Sequence, residues 1–174
     1  MTDDFTSTSR ADKSKKYLLG KDGWIFLDHD SNRVIDQITG RHILDQAGIE
    51  AWRKLIVERD AYVTSVGAQH LVFVAPNKEL VYSEQLPDWV EIADTRPLHQ
   101  IMTALGPRRA SKIVYPLEAI RAGKSKGLTY PKTDTHWSGF GAYIGYQEFC
   151  RGLSQNGIEP LQIEPSRISF EEVP

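Results

Sequence analysis

Asp134 and His136 are the residues whose types and spacing best suit catalysis in this chain. They stand one residue apart in Tyr130-Pro-Lys-Thr-Asp-Thr-His-Trp-Ser138, directly before a predicted helix. In extended backbone, residues i and i+2 project from the same side, about 6.5–7 Å apart. The carboxylate can then accept a hydrogen bond from one imidazole nitrogen and leave the other as a general base. We expect a buried Asp134 that orients His136, with the free ring nitrogen facing an open cleft.

The Asp-x-His pattern by itself also allows two other interpretations. One is a solvated pair in a surface loop, because so short a pattern often occurs by chance. The other is a metal site, since aspartate and histidine both bind zinc or iron. A metal would need further ligands, and His70, His99 and Glu118 show no recognisable ligand spacing. We therefore predict no metal and no cofactor, and expect the other histidines to be structural or surface residues.

Four further residues are candidates for substrate contact. Trp137 follows the histidine and could wall the site or stack on a sugar ring. Asn77 and Lys78 follow a strongly apolar run, and ligands of open α/β sheets gather at the carboxyl ends of strands. A simple turn with an exposed lysine is the alternative for that segment. Tyr130, in the same segment as the Asp-x-His pair, is the fourth candidate.

The elements around these residues alternate as in an α/β sheet. Two runs, Leu71–Ala75 and Lys112–Tyr115, predict short strands, and the first is apolar enough to be covered by helices on both faces. A third strand, Trp24–Leu27, follows a turn, and Arg167–Phe170 is a further strand candidate. Helical spacing and capping residues predict helices at Gln46–Val66, from an Asp94 cap to Gly106-Pro107, at Pro116–Ala122, and from a Ser138 cap to about Ser154.

Composition excludes several classes of protein. The 174 residues are 40% hydrophobic and 25% charged with a net charge of −2, so no basic surface for nucleic acid is indicated. Cys150 is the single cysteine, which excludes an internal disulfide, and we expect it in the core. Residues 1–16 are predicted to form a disordered polar tail without a secretory signal, and 17–174 to form one domain.

Three segments together resemble a known family. Gly20-Lys-Asp-Gly-Trp-Ile-Phe-Leu27, Phe73-Val-Ala-Pro-Asn-Lys78 and the segment Tyr130–Ser138 occur in this order. This set is similar to the AlgX and AlgJ type of alginate O-acetyltransferase, a group of SGNH hydrolase-like proteins. The resemblance runs from about Lys16 to Ser154.

The resemblance implies a fold, an activity and a location. The implied fold is a flavodoxin-like three-layer α/β/α sandwich of the SGNH type, with the catalytic groups in permuted chain order. Family members add acetyl groups to exopolysaccharide hydroxyls, or remove them, in the periplasm or cell envelope. Asp134 would orient His136, and His136 would act as the base. The implied partners are a polysaccharide, an acetyl donor and a membrane-bound acetyltransferase; a cytoplasmic location stays open because no export signal is present.

The chain departs from the family pattern at the nucleophile. The family serine lies in a Gly-Asp-Ser or similar segment well C-terminal to the Asp–His pair, and the chain to Pro174 holds no such segment. We expect the serine outside this chain, and a fold incomplete at its C-terminus. The alternative function is an inactive carbohydrate-binding or scaffold module of an exopolysaccharide biosynthesis system. An incomplete sheet would also leave an edge that could pair with a second copy.

Overall fold

The computed structural model describes residues 16–29, 31–163 and 165–169. The predicted tail therefore lies outside the described residues, except for Lys16, whose carbonyl accepts a hydrogen bond from the Asp28 N–H at 3.1 Å. The helices and strands, in chain order, are β1 (Tyr17–Leu19), β2 (Ile25–Leu27), α1 (Val34–Ile38), α2 (Gln46–Ser65), β3 (Val72–Phe73), α3 (Lys78–Val81), α4 (Pro97–Ala110), β4 (Ile113–Val114), α5 (Leu117–Gly123) and α6 (Gly139–Gln155).

A short parallel sheet, β3 with β4, separates two helical layers. Val72 pairs with Ile113 and Phe73 with Val114. Val72 and Ile113 pack into one apolar cluster with residues of α2 and α4. On the other face Phe73 meets Phe149 of α6 edge-on, with ring centroids 5.9 Å apart. Because alternate strand residues point to opposite faces, this pattern gives the predicted order of helix, sheet and helix.

A second apolar cluster lies beside the sheet and joins the N-terminal hairpin to the short helices. β1 and β2 pair antiparallel, with Leu18 opposite Phe26. The predicted strand at Trp24–Leu27 is therefore present, but it belongs to this hairpin and not to the parallel sheet. The buried members of the cluster come from the hairpin, α1, α3, α5 and the connecting loops: Leu18, Trp24, Phe26, Val34, Ile35, Ile38, Leu80, Val81, Tyr82, Leu86, Val90, Leu117, Ile120 and Tyr130.

The structure confirms the predictions for the two long helices α2 and α6 and for the buried Cys150. α2 ends near Gly67, whose φ of +76° suits glycine at a helix end. α6 begins after Ser138, whose side-chain oxygen accepts the Gly141 N–H at 3.0 Å. Cys150 is buried on α6, as predicted.

Two of the predicted elements are corrected. α4 begins after Arg96 and not at Asp94, whose carbonyl instead contacts the His99 ring. The helix also continues past Gly106, which kinks it with φ +70° and ψ 165°. The strand predicted at Arg167–Phe170 is wrong for the described part, since Arg167 ends a 3-10 turn and residues 168–169 have no regular structure; Phe170 lies outside the description.

An apolar hollow of about 420 Å³ opens on the α6 side of β3. Phe73 and Trp137 form one wall, and α6 residues form the other. The hollow is an uncovered apolar surface, and the incomplete sheet stays a prediction. The predicted pairing with a second copy stays a prediction.

Replacing Gly141 by alanine is expected to destabilise the domain. A Cβ at this position would lie 2.1 Å from the Thr129 carbonyl oxygen, so the start of α6 must shift against the backbone. Such overpacking costs roughly 1–3 kcal/mol, measured as the free energy of unfolding in urea. The control is Gly127→Ala, because the nearest atom to a Cβ there is 3.5 Å away. Equal stability of the two variants would contradict this packing.

Candidate active site

The loop 129–138 carries the predicted catalytic pair, and its two ends are tied together. The Ser138 N–H donates to the Thr129 carbonyl at 2.9 Å, and the Ser138 hydroxyl donates to the Leu128 carbonyl at 2.6 Å. Thr129 is fully buried, and its N–H donates to the Tyr82 hydroxyl at 3.0 Å. The loop is therefore closed at its base by hydrogen bonds, and it projects from the core at the start of α6.

Lys78 holds the centre of this loop. Its side chain is 1% exposed, and Nζ donates to the carbonyls of Pro131, Lys132 and Asp134 at 2.9, 2.8 and 2.9 Å. An ammonium group has three N–H donors, so three carbonyls satisfy it completely. Burial lowers the pKa of Lys78, while the charges of Glu79 and Asp134 act in the opposite direction. Lys78 thus has a positioning role in this geometry, and its predicted contact with substrate stays a prediction.

The N-terminal hairpin supports the same loop from the side. The Ile25 N–H of β2 donates to the Lys132 carbonyl at 2.9 Å. The rings of Trp24 and Phe26 each lie with their centroids 5.3 Å from the Lys78 Nζ, within cation–π distance. Glu79, next to the lysine, accepts the Leu27 N–H at 2.9 Å. The three segments that carry the family resemblance therefore meet around one buried cation.

Asp134 and His136 are hydrogen-bonded to each other as predicted. The Asp134 Oδ1 lies 2.8 Å from the His136 Nδ1 and accepts the His136 backbone N–H, also at 2.8 Å. Because an ionised carboxylate only accepts, Nδ1 must donate the proton of this bond, and in the neutral ring Nε2 then keeps its lone pair. The backbone contact makes the segment an Asx turn and not the extended strand that we expected.

The pair is exposed, which corrects the expectation of a buried acid. The His136 side chain is 86% exposed and that of Asp134 is 55% exposed. The physical reason is the inward turn of the loop carbonyls toward Lys78, which leaves these side chains outside. The exposed ring presents Nε2 to solvent, where it can take a proton from an approaching hydroxyl group.

The pKa of the Asp134 carboxyl is lowered. The main cause is the hydrogen bond from the His136 backbone N–H, followed by the bond from the His136 side chain. The carboxylate therefore stays ionised around neutral pH and keeps the tautomer that a general base requires.

The other predicted binding residues occupy different surroundings. Tyr130 is 2% exposed, and its hydroxyl donates to the Pro76 carbonyl, so it is a core residue in this structure. Trp137 is half-buried and stacks on Phe73 and Tyr130, with centroids 6.1 and 6.4 Å away. Asn77 is exposed at the start of α3. The substrate contacts predicted for these residues stay predictions.

Sequence reasoning gave no role in the site to two buried residues that support it. Glu79 accepts a hydrogen bond from the hairpin, and the Tyr82 hydroxyl accepts hydrogen bonds from the backbone N–H and the hydroxyl of Thr129 at the start of the loop. Their spacing carries no signal, because their partners lie 52 and 47 residues away in the chain. The one available signal was their position, one and four residues after the Pro-Asn-Lys segment.

The described residues contain no group of three His, Cys, Asp or Glu side chains that could hold a metal ion. Within the same part of the chain, none of the helices has both the length and the apolar content needed to cross a membrane.

Comparison with known proteins places this geometry in a family. The family model for the SGNH hydrolase-like domain of acetyltransferase AlgX matches residues 18–174. The chain belongs to this family. The match spans both the hairpin and the loop of the Asp–His pair, as the sequence resemblance predicted, and it confirms the SGNH hydrolase-like α/β fold.

Two relatives of this AlgX-family chain are probable alginate O-acetylases called AlgJ. The protein from Pseudomonas syringae pv. tomato is 25% identical over 156 residues, which cover 90% of this chain and 37% of that protein. The protein from Pseudomonas fluorescens is 24% identical over 157 residues, or 88% and 37% of the two chains. The chain thus spans a little over a third of the length of these relatives.

Two solved structures share the fold of this AlgX-family chain. The O-acetyltransferase domain of Pseudomonas putida AlgJ aligns with a TM-score of 0.52 and 24% identity, covering 82% of this chain and 49% of that one. Bacillus cereus PatB1, solved with a sulfonyl adduct, aligns with a TM-score of 0.55 and 20% identity, covering 80% and 43%. At these sequence identities, the structural similarity supports only the assignment of the fold.

Replacing Lys78 by methionine is expected to loosen the loop 129–138. The loop carbonyls lose their shared donor, and unsatisfied acceptors of this kind cost roughly 1–3 kcal/mol in the free energy of unfolding. The control is Lys132→Met, which removes one exposed bond from Nζ to the Asp22 carbonyl at 3.0 Å. Equal urea midpoints and equal His136 Nδ1 proton signals for both variants would contradict a positioning role for Lys78.

The pKa of Asp134 is expected to lie below the ordinary aspartate range in a carbon-13 titration of its carboxyl group. Because the folded pKa is lowered, the stabilisation is present above the ordinary aspartate pKa and is lost as pH falls through the lowered value. His136→Ala should raise this pKa only partly, since the backbone N–H of residue 136 remains. Thr135→Ala is the control and should leave the midpoint in place. A midpoint at the ordinary aspartate value in the parent chain would refute the hydrogen-bonded geometry.

Proposed function

We propose that this chain supplies the acid–base half of an acyl-transfer site that adds acetyl groups to a polysaccharide hydroxyl or removes them. The observation that carries the proposal is the 2.8 Å contact from Asp134 Oδ1 to His136 Nδ1, with an exposed Nε2, in an AlgX-family domain. In this role His136 takes a proton from the attacking hydroxyl, and Asp134 stabilises the imidazolium that forms.

The attacking group in this proposal is a serine that lies outside residues 1–174. Ser138 is a poor candidate, because its hydroxyl donates to the Leu128 carbonyl and caps α6. The serine would attack the acetyl carbon and transfer its proton to the His136 Nε2. The bond from the acetyl carbon to the donor oxygen then breaks, the donor leaves with the proton held by His136, and an acetyl-enzyme remains. A sugar hydroxyl or water would then attack the acetyl-enzyme and give its proton to His136, which returns that proton to the serine oxygen as the serine–acetyl bond breaks.

The proposed setting follows from the relatives. The relatives of this chain are named probable alginate O-acetylases, so we propose an exopolysaccharide as the acceptor. A periplasmic or cell-envelope location and an acetyl donor delivered by a membrane-bound acetyltransferase are parts of the same proposal.

Acetyl release from 4-nitrophenyl acetate by the full-length gene product tests the proposal. His136→Ala should lower kcat/KM at least about 100-fold, because general-base catalysis contributes about 10²–10⁴-fold. Asp134→Asn should also lower the rate, because an amide no longer holds the required tautomer. His42→Ala is the control, since this ring contacts Arg33 and no part of the loop.

Unchanged turnover in His136→Ala would contradict the assignment. A full-length product that binds acetylated polysaccharide saturably and releases no acetate would favour the non-catalytic binding module. Release of acetate, and not affinity for the polysaccharide, therefore distinguishes the enzyme from the binding module.

A further inference from the structure

A cleft of about 110 Å³, lined by both polar and apolar residues, opens beside the carboxyl ends of the parallel strands. Val74 and Asn77 line it after β3, Tyr115 lines it after β4, and Arg96 and His99 line it from the start of α4. Ligands of open α/β sheets bind outside the carboxyl ends of strands. The lining residues do not include Asp134 or His136, so this cleft is separate from the proposed acid–base pair.

Arg96 is held in the cleft by neutral groups. Its Nη1 donates to the Ala93 carbonyl at 2.5 Å, and its Nη2 lies 3.0 Å from the His99 Nε2. A guanidinium only donates, so Nε2 must accept, and Nδ1 then donates to the Asp94 carbonyl at 2.8 Å. Both acceptors of the guanidinium are therefore uncharged. Two of its five N–H donors are used, and about three remain for a ligand.

No carboxylate in the described part of the chain neutralises this cation within the cleft. None of the residues that line the cleft is aspartate or glutamate. The nearby Glu118 carboxylate pairs with Arg121 at 2.9 Å and lies outside the lining. A half-buried arginine fixed by neutral partners and left without a counter-ion favours an anionic ligand.

Asn77 and Tyr115 add uncharged donors beside the arginine. The Asn77 amide makes no hydrogen bond to any described residue, and the Tyr115 hydroxyl likewise has no partner among them. Burial raises the pKa of Tyr115, although the charges of Arg96 and Arg121 act in the opposite direction. The phenol therefore keeps its proton around neutral pH and can donate it in a hydrogen bond.

We propose that this cleft is a carboxylate-binding site, with Arg96 contacting both carboxylate oxygens and with Asn77 and Tyr115 donating from the sides. The planar fork of a guanidinium matches a carboxylate in this way, and the apolar wall at Val74 suits the carbon attached to it. The small volume fits a carboxylate and little more, so the rest of a larger ligand would extend into solvent. A free small acid and a sugar acid share this chemistry.

Titration of the nitrogen-15-labelled chain with sodium acetate and with sodium glucuronate tests the proposal. The readouts are the Arg96 Nε–H signal and the Asn77 side-chain amide signals, at an ionic strength held constant with sodium chloride. Saturable shifts with a carboxylate, and none with glucose, are expected. Binding of acetate alone would identify a small free acid as the ligand, whereas binding of both would show that the cleft accepts a sugar acid.

Arg96→Gln is expected to raise the Kd at least tenfold, and Arg108→Gln on the exposed end of α4 should leave it unchanged. If Arg96→Gln fails to fold, Asn77→Ala and Tyr115→Phe decide, each with an expected severalfold rise in Kd. His136→Ala should bind as tightly as the parent chain, which separates this site from the proposed catalysis. An unchanged Kd in the cleft variants, or no saturable shift with either acid, would overturn the proposal.

Discussion

The buried ammonium of Lys78 is the interaction on which the site depends. Moving an ammonium out of water costs several kcal/mol unless its donors are satisfied, and here three carbonyls of one loop satisfy them. Those carbonyls are reached only if residues 131–134 bend around the Nζ atom. The charge thus selects one loop conformation from the many that a proline-containing polar segment could adopt.

This constraint explains why the hairpin, the lysine and the loop occur together in the sequence. Trp24 and Phe26 supply the aromatic faces near the ammonium, and Ile25 between them hydrogen-bonds the loop itself. Side chains alternate along a strand, so Trp24 and Phe26 can point their rings toward the Lys78 ammonium. The Ile25 N–H between them is then free to hydrogen-bond the loop at the edge of the hairpin. The Gly-Trp-Ile-Phe-Leu segment is therefore part of the site's support, although none of its residues belongs to the proposed acid–base pair.

The sequence predicted the features that depend on local patterns. The Asp134–His136 contact, the Ser138 cap and the helices α2, α5 and α6 follow from short spacing and capping rules, and the structure contains each of them. The exposure of the pair was not predictable, because it results from contacts more than fifty residues away that turn the loop carbonyls inward. The hairpin partner of β2 was missed for a different reason. Tyr17–Leu19 is too short to show the alternation of apolar and polar residues that predicts a strand.

Exposure of the Asp–His pair has a chemical consequence of its own. In water the attraction between imidazolium and carboxylate is weak, since unit charges 4 Å apart interact with only about 1 kcal/mol. The Asx turn compensates in part, because the His136 backbone N–H fixes the carboxylate whether or not the ring is charged. Full electrostatic assistance would require another surface to cover the ring and exclude water from it. In this chain, therefore, the loop itself orients His136 as the base. The low-dielectric surroundings of the ring must come from a surface that contacts its exposed face.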